Sequence, residues 1–115
     1  MLRIFQVFIK VYTSENSSND QPEKIGTYRF RNGARYIGQY SQNQKHGKGI
    51  FYYPDGSIYD GDWNYDRKEG VGAYTYQNGD VYHGEWDHEE RHGQGTYTFA
   101  LVFHLFLKIY LKLCF

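Results

Sequence analysis

Tyr36-Ile37-Gly38-Gln39-Tyr40, Tyr59-Asp60-Gly61-Asp62-Trp63 and Tyr82-His83-Gly84-Glu85-Trp86 are three versions of one phrase. Their starts lie 23 residues apart, from 36 to 59 and from 59 to 82. Each is followed by Gly-x-Gly, at Gly47/Gly49, Gly70/Gly72 and Gly93/Gly95. Two alternating aromatics come next: Phe51/Tyr53, Tyr74/Tyr76 and Tyr97/Phe99. A fixed period of this size is the signature of a repeat architecture. Stepping back one period from Gly49, Phe51, Tyr53 and Gly56 reaches Gly26, Tyr28, Phe30 and Gly33, a preceding half-repeat. The array therefore runs over residues 26–99.

Within each unit the marked residues are two apart, so they share one face of a strand. Each unit reads as a β-hairpin, with Asn43-Gln44-Lys45-His46 as its polar turn. Asn32-Gly33, Pro54-Asp55-Gly56 and Asn78-Gly79 mark the turns between units, where glycine supplies a positive φ. The fold class expected is all-β: an elongated, single-layer antiparallel sheet of stacked hairpins. Glycine weakens a strand interior, so its place beside aromatics needs a cause. The cause read here is space: a ring of one strand lies over the bare backbone of the next. Each ring then buries about 150–250 Å², against a cost of about 0.5–1 kcal/mol per glycine. Gly38, Gly47, Gly49, Gly61, Gly70, Gly72, Gly84, Gly93 and Gly95 are the structural glycines of this reading. The Gly-x-Gly pairs are also expected to let the sheet bend.

Composition agrees: 13 Tyr, eight Phe, two Trp and 13 Gly stand in 115 residues. Branched aliphatics are sparse in the array. Thirteen basic and 13 acidic residues cancel, so the balance points to no nucleic-acid partner. The single cysteine, Cys114, closes no internal disulfide. The charges are unevenly placed. Residues 26–48 hold five cations (Arg29, Arg31, Arg35, Lys45, Lys48) and no acid, whereas residues 49–100 hold three cations and ten acids. That polarity suggests an oriented partner or head-to-tail self-association.

The ends leave the period. Residues 1–12 are apolar and lightly basic. Gln6 and Lys10 interrupt the run and no small-residue cleavage site follows, so a strand or apolar tag is read there rather than a signal peptide. Residues 13–25, polar and carrying Pro22, read as a linker. After Phe99 the period calls for a glycine at 102 and a tyrosine at 105, but Val102 and Leu105 stand there. Residues 100–115 are read as sequence foreign to the repeat. Three structural forms are open to them: an interfacial helix with His104, Lys108 and Lys112 as its polar stripe, a capping strand, or a helix lying on the array. Sixteen residues are short for a membrane span, which takes about 20.

Tyr-x-Gly-x-(Tyr/Trp), then His-Gly-x-Gly, an aromatic pair and a turn glycine, resembles the MORN repeat family (membrane occupation and recognition nexus). Glu69 departs from it, standing where His46 and His92 stand in the other units. Within the family, residues 29–63 and 83–99 are similar to the arrays of radial spoke head proteins of motile cilia and flagella. The resemblance implies a non-enzymatic scaffold of the axonemal cytoskeleton, with radial spoke head components as partners. The family name implies an alternative, a module that tethers proteins to membranes or phosphoinositides.

No chemistry competes with that reading. His83, His88 and His92 are spaced by five and four with no cysteine near, and His92 is a repeat position, so turn structure explains it better than a metal. Asp60/Asp62 and Glu85/Asp87 lie on repeated strands with no paired nucleophile and base. Gly47-x-Gly49 lacks the strand–turn–helix setting of a phosphate loop. The aromatic rows are better explained by packing than by base stacking. No catalytic residue, cofactor or metal is expected. The interaction face expected is Tyr36, Tyr40, Tyr59, Trp63, Tyr82 and Trp86, partly structural and partly contact-making.

Overall fold

A computed structural model describes residues 24–114. The expectation for residues 1–12 lies outside that range, as does the linker read over 13–25 except for Lys24 and Ile25, which belong to the first strand instead. Seven strands form one open antiparallel sheet in simple sequence order. They are β1 (Lys24–Arg29), β2 (Arg35–Ser41), β3 (Gln44–Tyr52), β4 (Ile58–Asn64), β5 (Arg67–Thr75), β6 (Val81–Asp87) and β7 (Glu90–Thr98). A helix, α1 (Ala100–Leu113), follows. The single-layer sheet of hairpins is the architecture the 23-residue period predicts.

Glycines meet across every strand pair. Gly38 faces Gly26 and Gly49, Gly61 faces Gly49 and Gly72, and Gly84 faces Gly72 and Gly95. Beside each of these crossings lies a tyrosine ring. A Cβ on Gly72 would sit 2.6 Å from Tyr59 Cζ, and one on Gly95 2.6 Å from Tyr82 Cζ; Gly49 is covered in the same way by Tyr36. The ring-over-glycine expectation is therefore met. Each hydroxyl reaches on to a backbone carbonyl: Tyr36 donates to Gln39 (2.8 Å), Tyr59 to Asp62 (2.9 Å) and Tyr82 to Glu85 (3.1 Å). No buried phenol of this trio is left without an acceptor.

The first glycine of each Gly-x-Gly does different work. Gly47, Gly70 and Gly93 have φ of 78°, 100° and 55°, the left-handed region that favours glycine. The second strand of each hairpin carries extra residues there, and the register shifts. Such a bulge frees a backbone N–H. The side chain opposite takes it up: Gln39 accepts from Lys48 N–H, Asp62 from Val71 N–H and Glu85 from Gln94 N–H.

Both turn classes differ in length from the sequence reading. The hairpin turn is two residues, Gln42-Asn43, Tyr65-Asp66 and His88-Glu89, all at positive φ. Gln44, Lys45 and His46, read as turn, belong to β3. A two-residue turn of this hand needs positive φ at both central positions. Here residues other than glycine adopt it, so the usual glycine signal is absent. Between units the loop spans three residues, closed by Phe30 N–H to Ala34 C=O (2.9 Å) and its repeats at Tyr53/Ser57 and Tyr76/Asp80. Gly33, Gly56 and Gly79 hold the positive φ in those loops. Asn32, Asp55 and Asn78 accept a backbone N–H two residues on.

The tail is a helix, which sets aside the capping strand. Among the described residues, contact with the array is confined to its start, where Ala100 N–H donates to Asp80: every residue of β7 is exposed, as are Leu101, Leu105, Phe106, Ile109 and Leu113 of the helix. No helix among the described residues is long and apolar enough to cross a membrane.

Two predictions follow from the rings. Gly72→Ala, which drives a methyl into Tyr59, is expected to cost about 3 kcal/mol. Gly56→Ala, at positive φ in open space, is expected to cost about 1 kcal/mol. Urea denaturation measures both, and equal losses would refute the ring-over-glycine account. Burial also raises the Tyr36, Tyr40, Tyr53 and Tyr59 phenols well above their ordinary value, with neighbouring acids and tyrosines adding. The unfolded chain ionises these groups first, near pH 10. Stability is thus full below that pH and falls as pH rises through it toward the raised folded values. The melting midpoint should drop above about pH 10, with tyrosinate absorbance appearing only on unfolding for these four rings.

Candidate functional site

One face of the sheet carries two rows of rings. The inner row interleaves two kinds of residue: Tyr36, Trp63, Tyr59, Trp86 and Tyr82 meet edge-on with centroids 5.1–5.5 Å apart. Each indole donates across to the neighbouring strand, Trp63 Nε1 to Gly49 C=O and Trp86 Nε1 to Gly72 C=O, both at 3.1 Å. Glycine makes those carbonyls reachable, since no side chain shields them. Tyr40 extends this row, packing on Tyr36 (5.0 Å) and Tyr28 (4.2 Å).

Five of the six residues read as the interaction face are thus core: Tyr36, Tyr59, Trp63, Tyr82 and Trp86 are buried, and Tyr40 is half-buried. Like Tyr40, most of a second, outer row is half-buried, and its end is exposed. Phe30, Phe51, Tyr53, Tyr74, Tyr76, Tyr97 and Phe99 form an unbroken zigzag with centroids 4.6–5.8 Å apart. These come from β3, β5, β7 and the loops, and their exposure rises to 56 % at Phe99.

Cations lie between the rows. Lys45 Nζ sits 5.0 Å from the Trp63 ring and within 6.0 Å of Phe30, Tyr36 and Phe51. Lys68 Nζ repeats this against Trp86 (5.0 Å), Tyr53, Tyr59 and Tyr74. An ammonium among four rings is held by their quadrupoles and by an acid from the next unit. Asp66 pairs with Lys45 (3.2 Å) and Glu89 with Lys68 (3.3 Å). The same carboxylates accept the lysines' own backbone N–H groups. Sequence reading placed Lys45 in a turn and missed this role. The signal was present: a cation recurs at 45, 68 and 91, with Asp66 and Glu89 one period apart.

Beside Lys68 the face opens into a groove of about 440 Å³, lined by Tyr74, Tyr76, Trp86, Glu89, Glu90 and Arg91. Along the outer row, inter-unit contacts vary with the ring. Ser57 bonds Tyr74 OH (2.9 Å) and Asp80 accepts from Tyr97 OH (2.8 Å). Asp80 also accepts Ala100 N–H (2.9 Å) at the start of α1. Those bonds, the Ala100 amide first, hold the Asp80 carboxyl below the usual range, and the Ser57 bonds do the same for Asp55. The Asp80 bond raises the Tyr97 phenol.

The opposite face mixes aliphatic residues such as Ile37, Ile50 and Val71 with polar ones such as Gln39, Asp60 and Asp62. The departure at Glu69 changes one contact there: His46 stacks on Tyr65 (4.4 Å), whereas Glu69 meets Asp87 and His88, with ligand atoms within 4.8 Å of one another. These three residues could reach one cation. Hydrogen bonds already account for them, because His88 pairs with Asp87 and Asn64 donates to Glu69. His83 and His92 do not join the group. Asp60 lies on β4 opposite Ile50 and Ala73, and Asp62 also pairs with Lys48. None of these carboxylates is set against a nucleophile.

No curated protein matches the chain. The family model of the MORN repeat matches residues 36–58, 59–81 and 82–100, more than half of the 115 residues. Its boundaries fall at the tyrosines that lie over Gly49, Gly72 and Gly95, and on these grounds the chain belongs to the MORN repeat family.

Proposed function

We propose that this chain is a non-enzymatic scaffold that holds segments of partner proteins along its outer ring row. The observation that carries the reading is the zigzag of rings from Phe51 to Phe99, half-buried at Phe51, Tyr53, Tyr74 and Tyr76 and exposed at Tyr97 and Phe99, seated on the core of rings and glycines. Aromatic rows of this kind give a partner contact area at low conformational cost. The likeness of residues 29–63 to the arrays of radial spoke head proteins supports a finer placement. The partners would be radial spoke head components, and the location the ciliary or flagellar axoneme, where the scaffold supports motility.

A second reading has its own observation. Helix α1 exposes apolar residues, with Lys108 and Lys112 among them. Such a helix can rest in a membrane interface, and would make the array a membrane tether.

The tagged full chain is expected to co-purify with radial spoke head components from ciliated cells and to mark the axoneme. The double substitution Tyr76→Ser with Phe99→Ser, both outside the lysine cages, should weaken that association about tenfold while the chain stays folded. Recovery with membranes instead, together with sedimentation on anionic vesicles that Lys108→Glu with Lys112→Glu abolishes, would overturn the scaffold reading in favour of the tether.

A further inference from the structure

The contacts that join one unit to the next form a fixed set, and among the described residues β7 holds one half of that set unused. At the two internal junctions the incoming strand brings a glycine opposite a glycine, at Gly61/Gly49 and Gly84/Gly72. It brings a Trp two residues later, whose indole donates to that facing glycine's carbonyl and whose ring meets the preceding unit's tyrosine at 5.3–5.5 Å. Three residues after the Trp it brings an acid, Asp66 or Glu89. That acid takes the Lys45 or Lys68 side chain and backbone N–H, and its own N–H bonds the lysine carbonyl.

The receiving half recurs at the end of the sheet. Gly95 stands where Gly49 and Gly72 stand. Tyr82 lies over it as Tyr36 and Tyr59 lie over theirs, yet is 8 % exposed where those two are fully buried. Arg91 stands where Lys45 and Lys68 stand, over the Tyr82 ring at 5.3 Å. Among the described residues no acid pairs with it. All of β7 is exposed, so α1 does not cover this edge.

We propose that the β7 edge docks a β-strand of another protein with the pattern aromatic-x-Gly-x-Trp-x-x-(Asp/Glu), extending the sheet by one junction. The strand's glycine faces Gly95, its indole donates to Gly95 C=O against Tyr82, and its acid pairs with Arg91. Continuity with the two internal junctions sets the register, and charge sets the partner. A second copy of this chain is the wrong occupant. Its other described edge, β1, offers Gly26-x-Tyr28-x-x-Arg31, which brings a cation to Arg91. The inference does not depend on the outer groove being a binding site.

The probe is a backbone-cyclised peptide copying residues 58–75, titrated into the full chain and followed by calorimetry. Saturable one-to-one binding is expected. The peptide change Trp63→Ala should weaken it at least tenfold, and Asp66→Arg about tenfold. Pairing the Asp66→Arg peptide with the Arg91→Glu chain should restore it, a rescue that a misfolded or merely adhesive chain would not give. Absence of binding to the full chain, or binding indifferent to both peptide changes, would overturn the proposal. So would self-association of the chain that Arg91→Glu abolishes, since the edge would then belong to a second copy.

Discussion

Everything in this sheet depends on a phenol lying flat on a peptide backbone that has no side chain. Tyr36 over Gly49, Tyr59 over Gly72 and Tyr82 over Gly95 bring ring and strand into contact at a distance any Cβ would forbid. A single layer has no second sheet or helix to close its core. The rings have to supply that second layer themselves, and bare backbone beneath them is the condition for doing so. The two tryptophans then lock adjacent tyrosines edge-on and borrow the glycine carbonyls as hydrogen-bond acceptors.

The lysines between the rings solve a different problem. Rows of aromatics spaced by the strand geometry leave gaps too narrow for another ring. Lys45 and Lys68 thread their stems through these gaps and end among four rings with an acid from the next unit. Burying an ammonium without an acid and a hydrogen bond would be costly. Because the acid always comes from the following unit, each cage is completed only by its neighbour, which ties cooperativity of folding to electrostatics as well as to packing.

The fold was readable from residues 36–40, 59–63 and 82–86 because a 23-residue period leaves few ways to stack. The ring-over-glycine contact was readable too, since alternation puts both on one face. Three features were not. The hairpin turns at Gln42-Asn43, Tyr65-Asp66 and His88-Glu89 adopt positive φ without glycine, so local composition is silent about them. The division of labour inside Gly-x-Gly, one residue for φ and one for clearance, needs the register of the opposite strand. Most importantly, alternation tells which face a ring is on but not how deep it sits. Tyr36 and Tyr59 share a face with Tyr53 and Tyr76, yet the first pair is sealed and the second only half-buried. For the same reason the reachable part of the candidate site was legible only as a set of aromatics, not as a surface.

The outer-row pairs carry a consequence for the array as a modular object. Ala34 stands one period before Ser57, and Phe51 one period before Tyr74; Asp80 and Tyr97 complete the series. Where the loop residue is alanine, the ring has no hydroxyl; where it is serine or aspartate, a phenol meets it. The units look alike in outline but are not interchangeable parts. Transplanting Phe51 opposite Asp80 would leave one oxygen of that carboxylate without its phenol, and transplanting Tyr74 opposite Ala34 would strand a hydroxyl. The inheritable element of this architecture is the seam between repeats, and shuffling whole repeats without their seams would assemble a chain of correct period and mismatched joints.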